Sequence, residues 1–263
     1  MKNILVPTNF SKNCIKATQL GIEIAKLYNS EIHFLHSINT PVDWVKLNKL
    51  NEKRYPETLK QIGIAKAALR ALEKNAESQK LKCRTYLQYN SGEKDVLEHS
   101  TNFNHDFIIT ASSVEEIVRK AKVPVIVVKD KEVTFPFKNI VFVSDFKEDV
   151  TEAFKQVISI ANKCDSHIHL LCINTHTDFN NIALGLKPIE ELIEKFPAIK
   201  NYSMAIYNEH SVETGINTFT KQQPIDLIAM ITHGKTGFLS LFFKSIAEGV
   251  TNHSSLPVMT IHI

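Results

Sequence analysis

The sequence predicts an α/β protein built from two tandem, doubly wound parallel-sheet domains of five strands each. Three observations lead there. The first is an internal repeat at a fixed offset of 136 positions. Lys2-Asn3-Ile4 recurs as Lys138-Asn139-Ile140, and Phe10, Ala17, Ile22, Ile24-Ala25, Ser30, Ile32-His33 and Leu35 recur without a gap as Phe146, Ala153, Ile158, Ile160-Ala161, Ser166, Ile168-His169 and Leu171. A fixed offset marks two copies of one structural unit. The second is the order βαβαβαβαβ within each copy, whose near-continuous apolar strands demand a parallel sheet covered by helices on both faces. The third is size: 263 residues, 43% hydrophobic and 22% charged, suit two domains that each bury a core.

The elements follow in order. Ile4 to Pro7 reads as a short buried strand, and Ser11 stands where a helix N-cap is wanted. Ile15, Leu20, Ile24 and Leu27 are spaced for one helical face. Glu31 to His36 is the second strand; a loop with Pro41 and Trp44 leads to a long helical stretch ending near Gln79, where Ile64, Ala68, Leu72 and Ala76 recur every four residues. Strands at Cys83–Tyr89, Phe107–Ile109 and Val125–Val128 alternate with helices at Val96–Thr101 and Val114–Lys120. Copy two repeats the order, with strands at Ile140–Val143, Ile168–Ile173, Tyr202–Tyr207, Leu227–Ile231 and Val258–Ile261. Its helices are expected from Thr151, near Ile189–Phe196, near Glu213–Phe219 and from Ser245. The charged, proline-bearing connector at 129–136 places the domain boundary, giving domains 1–131 and 137–263.

Composition narrows the function classes. No apolar run reaches the roughly 18 residues of a membrane span, so no membrane partner is expected. The apolar opening stops at Pro7, too short for a signal-peptide core. Cys14, Cys83, Cys164 and Cys172 lack metal or redox spacing, which suits reduced structural thiols in the cytoplasm. A net charge of +3 without a basic stripe argues against nucleic acid. No nucleophile–base set or metal cluster is readable from spacing.

Ligands of doubly wound sheets bind at the carboxyl ends of strands where the strand order reverses, often against a glycine turn and a helix N-terminus. With eight glycines in the chain, such a turn stands out: Thr232-His233-Gly234-Lys235-Thr236-Gly237 directly follows the fourth strand of copy two. Aligning Asp106 with Asp226 shows that copy one is twelve residues shorter between this aspartate and the helix glutamate (Glu116 or Glu248). The missing residues are the loop, so copy one is expected to have lost the anion site.

These residues resemble the universal stress protein family, in tandem form. The resemblance rests on ILVPTNFS and IVFVSDF at the first strands, DLIAMITHGKTG and SIAEGV in copy two, and the endings PVIVV and PVMTI. It implies a Rossmann-like, adenine nucleotide alpha hydrolase-like fold, with some members binding ATP and most having no established turnover. It also implies pairing through last strands: within one chain as a pseudo-dimer, and between chains as a homodimer. The family's nucleotide motif is G-x2-G-x9-G-[ST]. Copy two matches it at Gly234 and Ser245, but Ile231 and Lys244 replace the first and third glycines. The acid that ends the first strand is Asp145 in copy two and Asn9 in copy one.

The candidate nucleotide-binding residues, for ATP with Mg, are therefore Asp145, Ile173, Thr232, His233, Gly234, Lys244 and Ser245. Structural readings compete. Asp145 could serve the following helix, and Ser245 with Glu248 makes a capping box that copy one repeats as Ser113 and Glu116. His33 and His169 share a strand position, which suggests packing or hydrogen bonding. The expected function is a non-enzymatic stress-response regulatory or interaction module with an unidentified protein partner. The alternative is adenine nucleotide binding in copy two, with slow hydrolysis or autophosphorylation.

Overall fold

The computed structural model describes residues 1–90, 93–111, 115–129, 133–175, 182–232, 250 and 254–263. The first repeat contains β1 (Asn3–Pro7), α1 (Lys12–Tyr28), β2 (Glu31–Ile38), α2 (Lys49–Glu52), α3 (Pro56–Ser78), β3 (Cys83–Tyr89), α4 (Glu93–Asn102), β4 (Phe107–Thr110), α5 (Glu115–Lys120) and β5 (Val125–Val127). The second contains β6 (Asn139–Val143), α6 (Thr151–Cys164), β7 (His167–Asn174), α7 (Ile182–Glu194), β8 (Tyr202–Asn208), α8 (Val212–Gln222), β9 (Leu227–Thr232) and β10 (Val258–His262). This is the expected alternation. The largest difference is α7, which begins well before Ile189 and carries Pro188 in its interior, where the sequence offers a stop signal. The helix expected from Ser245 falls outside the described residues.

The chain divides into two compact units, Met1–Ile117 and Val118–Ile263. The first has the strand order β3-β2-β1-β4, and these strands are parallel. The second has the order β5-β10-β9-β6-β7-β8, parallel except where β5 meets β10. There the last strand of the first repeat pairs antiparallel with the last strand of the second, Ile126 opposite Met259. This is the terminal-strand pairing that the resemblance implied. Because β5 packs with the second unit, the border between units precedes the connector chosen from sequence. Among the described residues no helix is long and apolar enough to cross a membrane.

Register carries the repeat into three dimensions. Asn3 lies opposite Glu31 and Leu5 opposite His33; Asn139 lies opposite His167 and Val141 opposite His169. One carboxylate staples each unit's first strand: the Asp106 side chain accepts the backbone N–H groups of Lys2 and Asn3, and Asp226 accepts those of Lys138 and Asn139. Left-handed residues also recur, with Asn29 (φ 53) closing α1 and Asp165 (φ 52) closing α6.

Two helix faces differ from their sequence reading. Ser11 caps α1 as expected, accepting the Cys14 N–H, but Ile15 is exposed. Leu20 and Ile24 are buried as expected, and the rest of the buried stripe is largely small, with Cys14, Ala17, Gly21 and Ala25 letting the helix approach the sheet closely. A Cβ on Gly21 would sit 2.8 Å from Val6 Cγ2. In α3 the buried positions are Thr58, Ile62, Ala65, Leu69 and Ala76, while Ile64 faces outward.

Candidate functional site

In the second unit the strand order reverses between β6 and β9, so the site belongs at their carboxyl ends. Beyond β6 the chain makes a tight local turn. Ser144 Oγ accepts the N–H of Phe146, which adopts φ 54, and Asp145 Oδ1 accepts the Lys147 N–H at 3.1 Å. The first unit repeats this with different side chains: Thr8 Oγ1 accepts from Phe10 (φ 61), and Asn9 Oδ1 accepts from Ser11 at 3.0 Å. An aspartate and an asparagine thus build the same turn, and their difference is charge. Asp145 is half-buried and does not cap α6, whose N-cap is Val150 with no side-chain bond.

The other described candidates are turned inward. Ile173 is buried in the core with Ile216, Phe219 and Met230. It lies so close to α8 that a Cβ on Gly215 would come within 2.8 Å of it. Thr232 is buried at the end of β9, its Oγ1 donating a long 3.5 Å hydrogen bond to the Ile261 carbonyl. Ile231, where the motif wants glycine, is buried beside Ile261 of β10. His233, Gly234, Lys244 and Ser245, together with Glu248 and Ser113, lie outside the described residues. Asp145 and Thr232 each lie two residues beyond the paired Val143 and Met230, at the ends of neighbouring strands, whereas Ile173 is packed in the core.

In the first unit an aromatic cluster sits at the carboxyl ends of β2 and β3. Trp44 is buried with Ile38, Ile62 and Ala65, and Phe10, Tyr55 and Tyr89 pack against them. Phe10 also lies 4.5 Å from the His36 ring, whose Nδ1–H donates to the Thr8 carbonyl at 2.7 Å.

The model of the universal stress protein family matches residues 1–114 and 136–262. The chain belongs to the universal stress protein family. It carries the family's domain twice, at the positions of the internal repeat. Among solved structures, a universal stress protein from Archaeoglobus fulgidus is 19% identical with a TM-score of 0.77, covering 99% of this chain and 98% of that one. A functionally unknown protein from Pseudomonas aeruginosa PAO1 is 14% identical with a TM-score of 0.69, covering 100% and 92%. A putative universal stress protein from Pseudomonas aeruginosa UCBPP-PA14 is also 14% identical at a TM-score of 0.69. These likenesses concern the fold. No curated protein matches the sequence.

Sequence reasoning on this universal stress protein missed one cluster. His33 of β2, His99 of α4 and His105 are all buried, with the His105 ring against both of the others. Only His33 stood out from sequence, through its repeat partner His169. Their separations carry no periodic signal, since the parallel crossovers bring them together. In the second unit His169 packs against His167, ring centroids 4.5 Å apart, with Nδ1 2.8 Å from Ser203 Oγ and a buried Nε2 that has no partner among the described residues. Burial pushes its imidazole down to about 4.

Proposed function

We propose that this chain is a non-enzymatic, cytoplasmic stress-response module that acts by contact with a protein partner or a second copy. Its first repeat is a scaffold and its second retains a degenerate anion-binding turn. The supporting observation is how the strand ends are engaged. Thr232 is bound to β10, Ile231 is buried where a phosphate-cradling glycine is wanted, and the first repeat is twelve residues shorter where the second carries its glycine turn. A β-branched residue denies a phosphate the close backbone approach that glycine allows. Neither nucleic acid nor membrane enters this reading.

A second reading, adenine nucleotide binding in the second repeat, is favoured by Asp145, a half-buried carboxylate delivered to the switch point. Such a carboxylate suits ribose hydroxyls, and Lys244 and Ser245 would face the phosphates with Mg. Titrating the full chain with Mg-ATP by calorimetry and thermal shift separates the two. The first reading expects no saturable heat and no stabilisation at millimolar ATP. A rise of a degree or more that Gly234→Val abolishes would establish the second, because a ligand binding only the folded state must raise its stability.

A further inference from the structure

The buried histidines of the first unit form a hydrogen-bonded chain between elements. Glu31 Oε1 is 3.1 Å from His33 Nε2, His33 Nδ1 is 2.8 Å from His105 Nε2, and His105 Nδ1 is 3.3 Å from the Ser100 carbonyl. Glu31 and His33 belong to β2 and Ser100 to α4, so the chain fastens the end of α4 to the sheet. His99 adds a second tie, its Nδ1 3.3 Å from Gln88 Nε2 on β3. The other His99 nitrogen, Nε2, is buried without a partner. Tyr86 and Phe103 close over the rings, with centroids 4.5 and 4.3 Å from that of His99.

Proton counting shows what this arrangement tolerates. The chain from Glu31 to Ser100 has three links across four ring nitrogens, and each link needs one proton. Two neutral imidazoles carry two. One added proton, on His33 between Glu31 and His105, completes the chain. A further proton has no acceptor: on His105 it opposes the His33 link, and on His99 it turns Nδ1 from acceptor to donor and breaks the bond from Gln88.

The charged groups facing the cluster do little to offset this. From β2 there is Glu31, already shared with Arg84 of β3 at 2.6 Å. From α4 come Asp95 and the exposed Glu98, which line a cleft of about 410 Å³ with His99. The Cys83 thiol beside Glu31, pushed up to about 12, stays neutral, and Leu5 of β1 is apolar.

We propose that the His33–His99–His105 cluster is an acid-released latch, holding α4 and the edge strand β3 on β2 at neutral pH and letting them open as it charges. The release is independent of whether the second repeat binds nucleotide. Burial lowers all three imidazoles, His99 and His105 to about 4. The neutral forms of His99 and His105 therefore favour the closed state fully above the ordinary value near 6.5, and that preference is lost as pH falls toward 4, whereas the one proton on His33 is accommodated by Glu31. One histidine held at about 4 changes an opening equilibrium by roughly 30-fold at pH 5.

Hydrogen-exchange protection factors, compared between pH 7.5 and 5 on the full chain, test this. The segments of α4 and β3 are expected to lose at least about tenfold in protection while α1 of the same unit loses far less. His99→Phe should remove most of the loss. Glu31→Gln, which takes away the anion that accommodates the first proton, should deepen it. Equal protection of α4 at both pH values, a loss shared uniformly by α1, or a loss that Glu31→Gln leaves unchanged would each overturn the proposal. The wild-type and Glu31→Gln comparison stands even if the phenylalanine variant fails to fold.

Discussion

At the scale of single residues, the repeat is preserved most faithfully where a side chain bonds to backbone. Ser30 Oγ donates to the Met1 carbonyl and Ser166 Oγ to that of Phe137. Asp106 and Asp226 each accept two N–H groups at the start of a first strand. Those amides precede the ladders with β4 and β9, which start at Ile4 and Ile140, so on that side the carboxylate stands in for the strand partner they lack. Asp226→Ala would leave two N–H donors unmatched at a half-buried edge. The expected cost is about 1–2 kcal/mol, read as a melting temperature lower by several degrees. Asp226→Asn, which keeps an acceptor, should recover part of it; an alanine variant melting with the parent would refute the role. The site residues were legible only in part. Asp145 and Thr232 could be placed from strand ends and a motif, but a sequence does not say which way an oxygen turns: Asp145 accepts from the nearby Lys147 N–H and Thr232 donates to the Ile261 carbonyl of β10.

At the scale of elements, every strand among the described residues was legible: most are buried on both faces and read as short apolar runs, while the half-exposed β3 and β8 mix polar and apolar residues between turn signals. Helix faces were read less well, and the reason is visible in α1 and α3. Large apolar residues were taken to mark the buried side, yet Ile15 and Ile64 point outward. The sheet selects small residues where a helix must come close. Gly21 and Gly63 test this in opposite directions. In α1, Gly21→Ala places a methyl 2.8 Å from Val6 Cγ2 and 3.3 Å from Ile32 Cδ1, so overpacking is expected to cost about 1–3 kcal/mol. In α3, nothing lies within 4 Å of a Cβ on Gly63. Gly63→Ala should therefore stabilise by up to about 1 kcal/mol through helix propensity alone. Chemical denaturation of the pair measures both, and a Gly21→Ala variant as stable as Gly63→Ala would show that α1 has room to shift.

At the scale of the whole molecule, a connection in sequence does not set membership of a packing unit. β5 is the last strand of the first repeat, but its ladder partner in the second unit is β10, and Val125, Ile126 and Val127 are buried there. A terminal apolar strand left unpaired would be an open edge prone to association; the antiparallel pair closes it within the chain. Damage to β5 should therefore register in the second repeat. Ile126 is fully buried, so Ile126→Asp introduces a carboxylate with no water and no counter-charge, a change expected to cost more than about 3 kcal/mol. Amide exchange then locates the effect. Protection should fall at β10 and at β9, whose Met230 lies opposite Thr260, and persist in the β2–β3 ladder of the first unit. Loss concentrated in β2 and β3 instead would mean that β5 is held by the repeat that encodes it, and that the boundary in the charged connector describes the packing as well as the sequence.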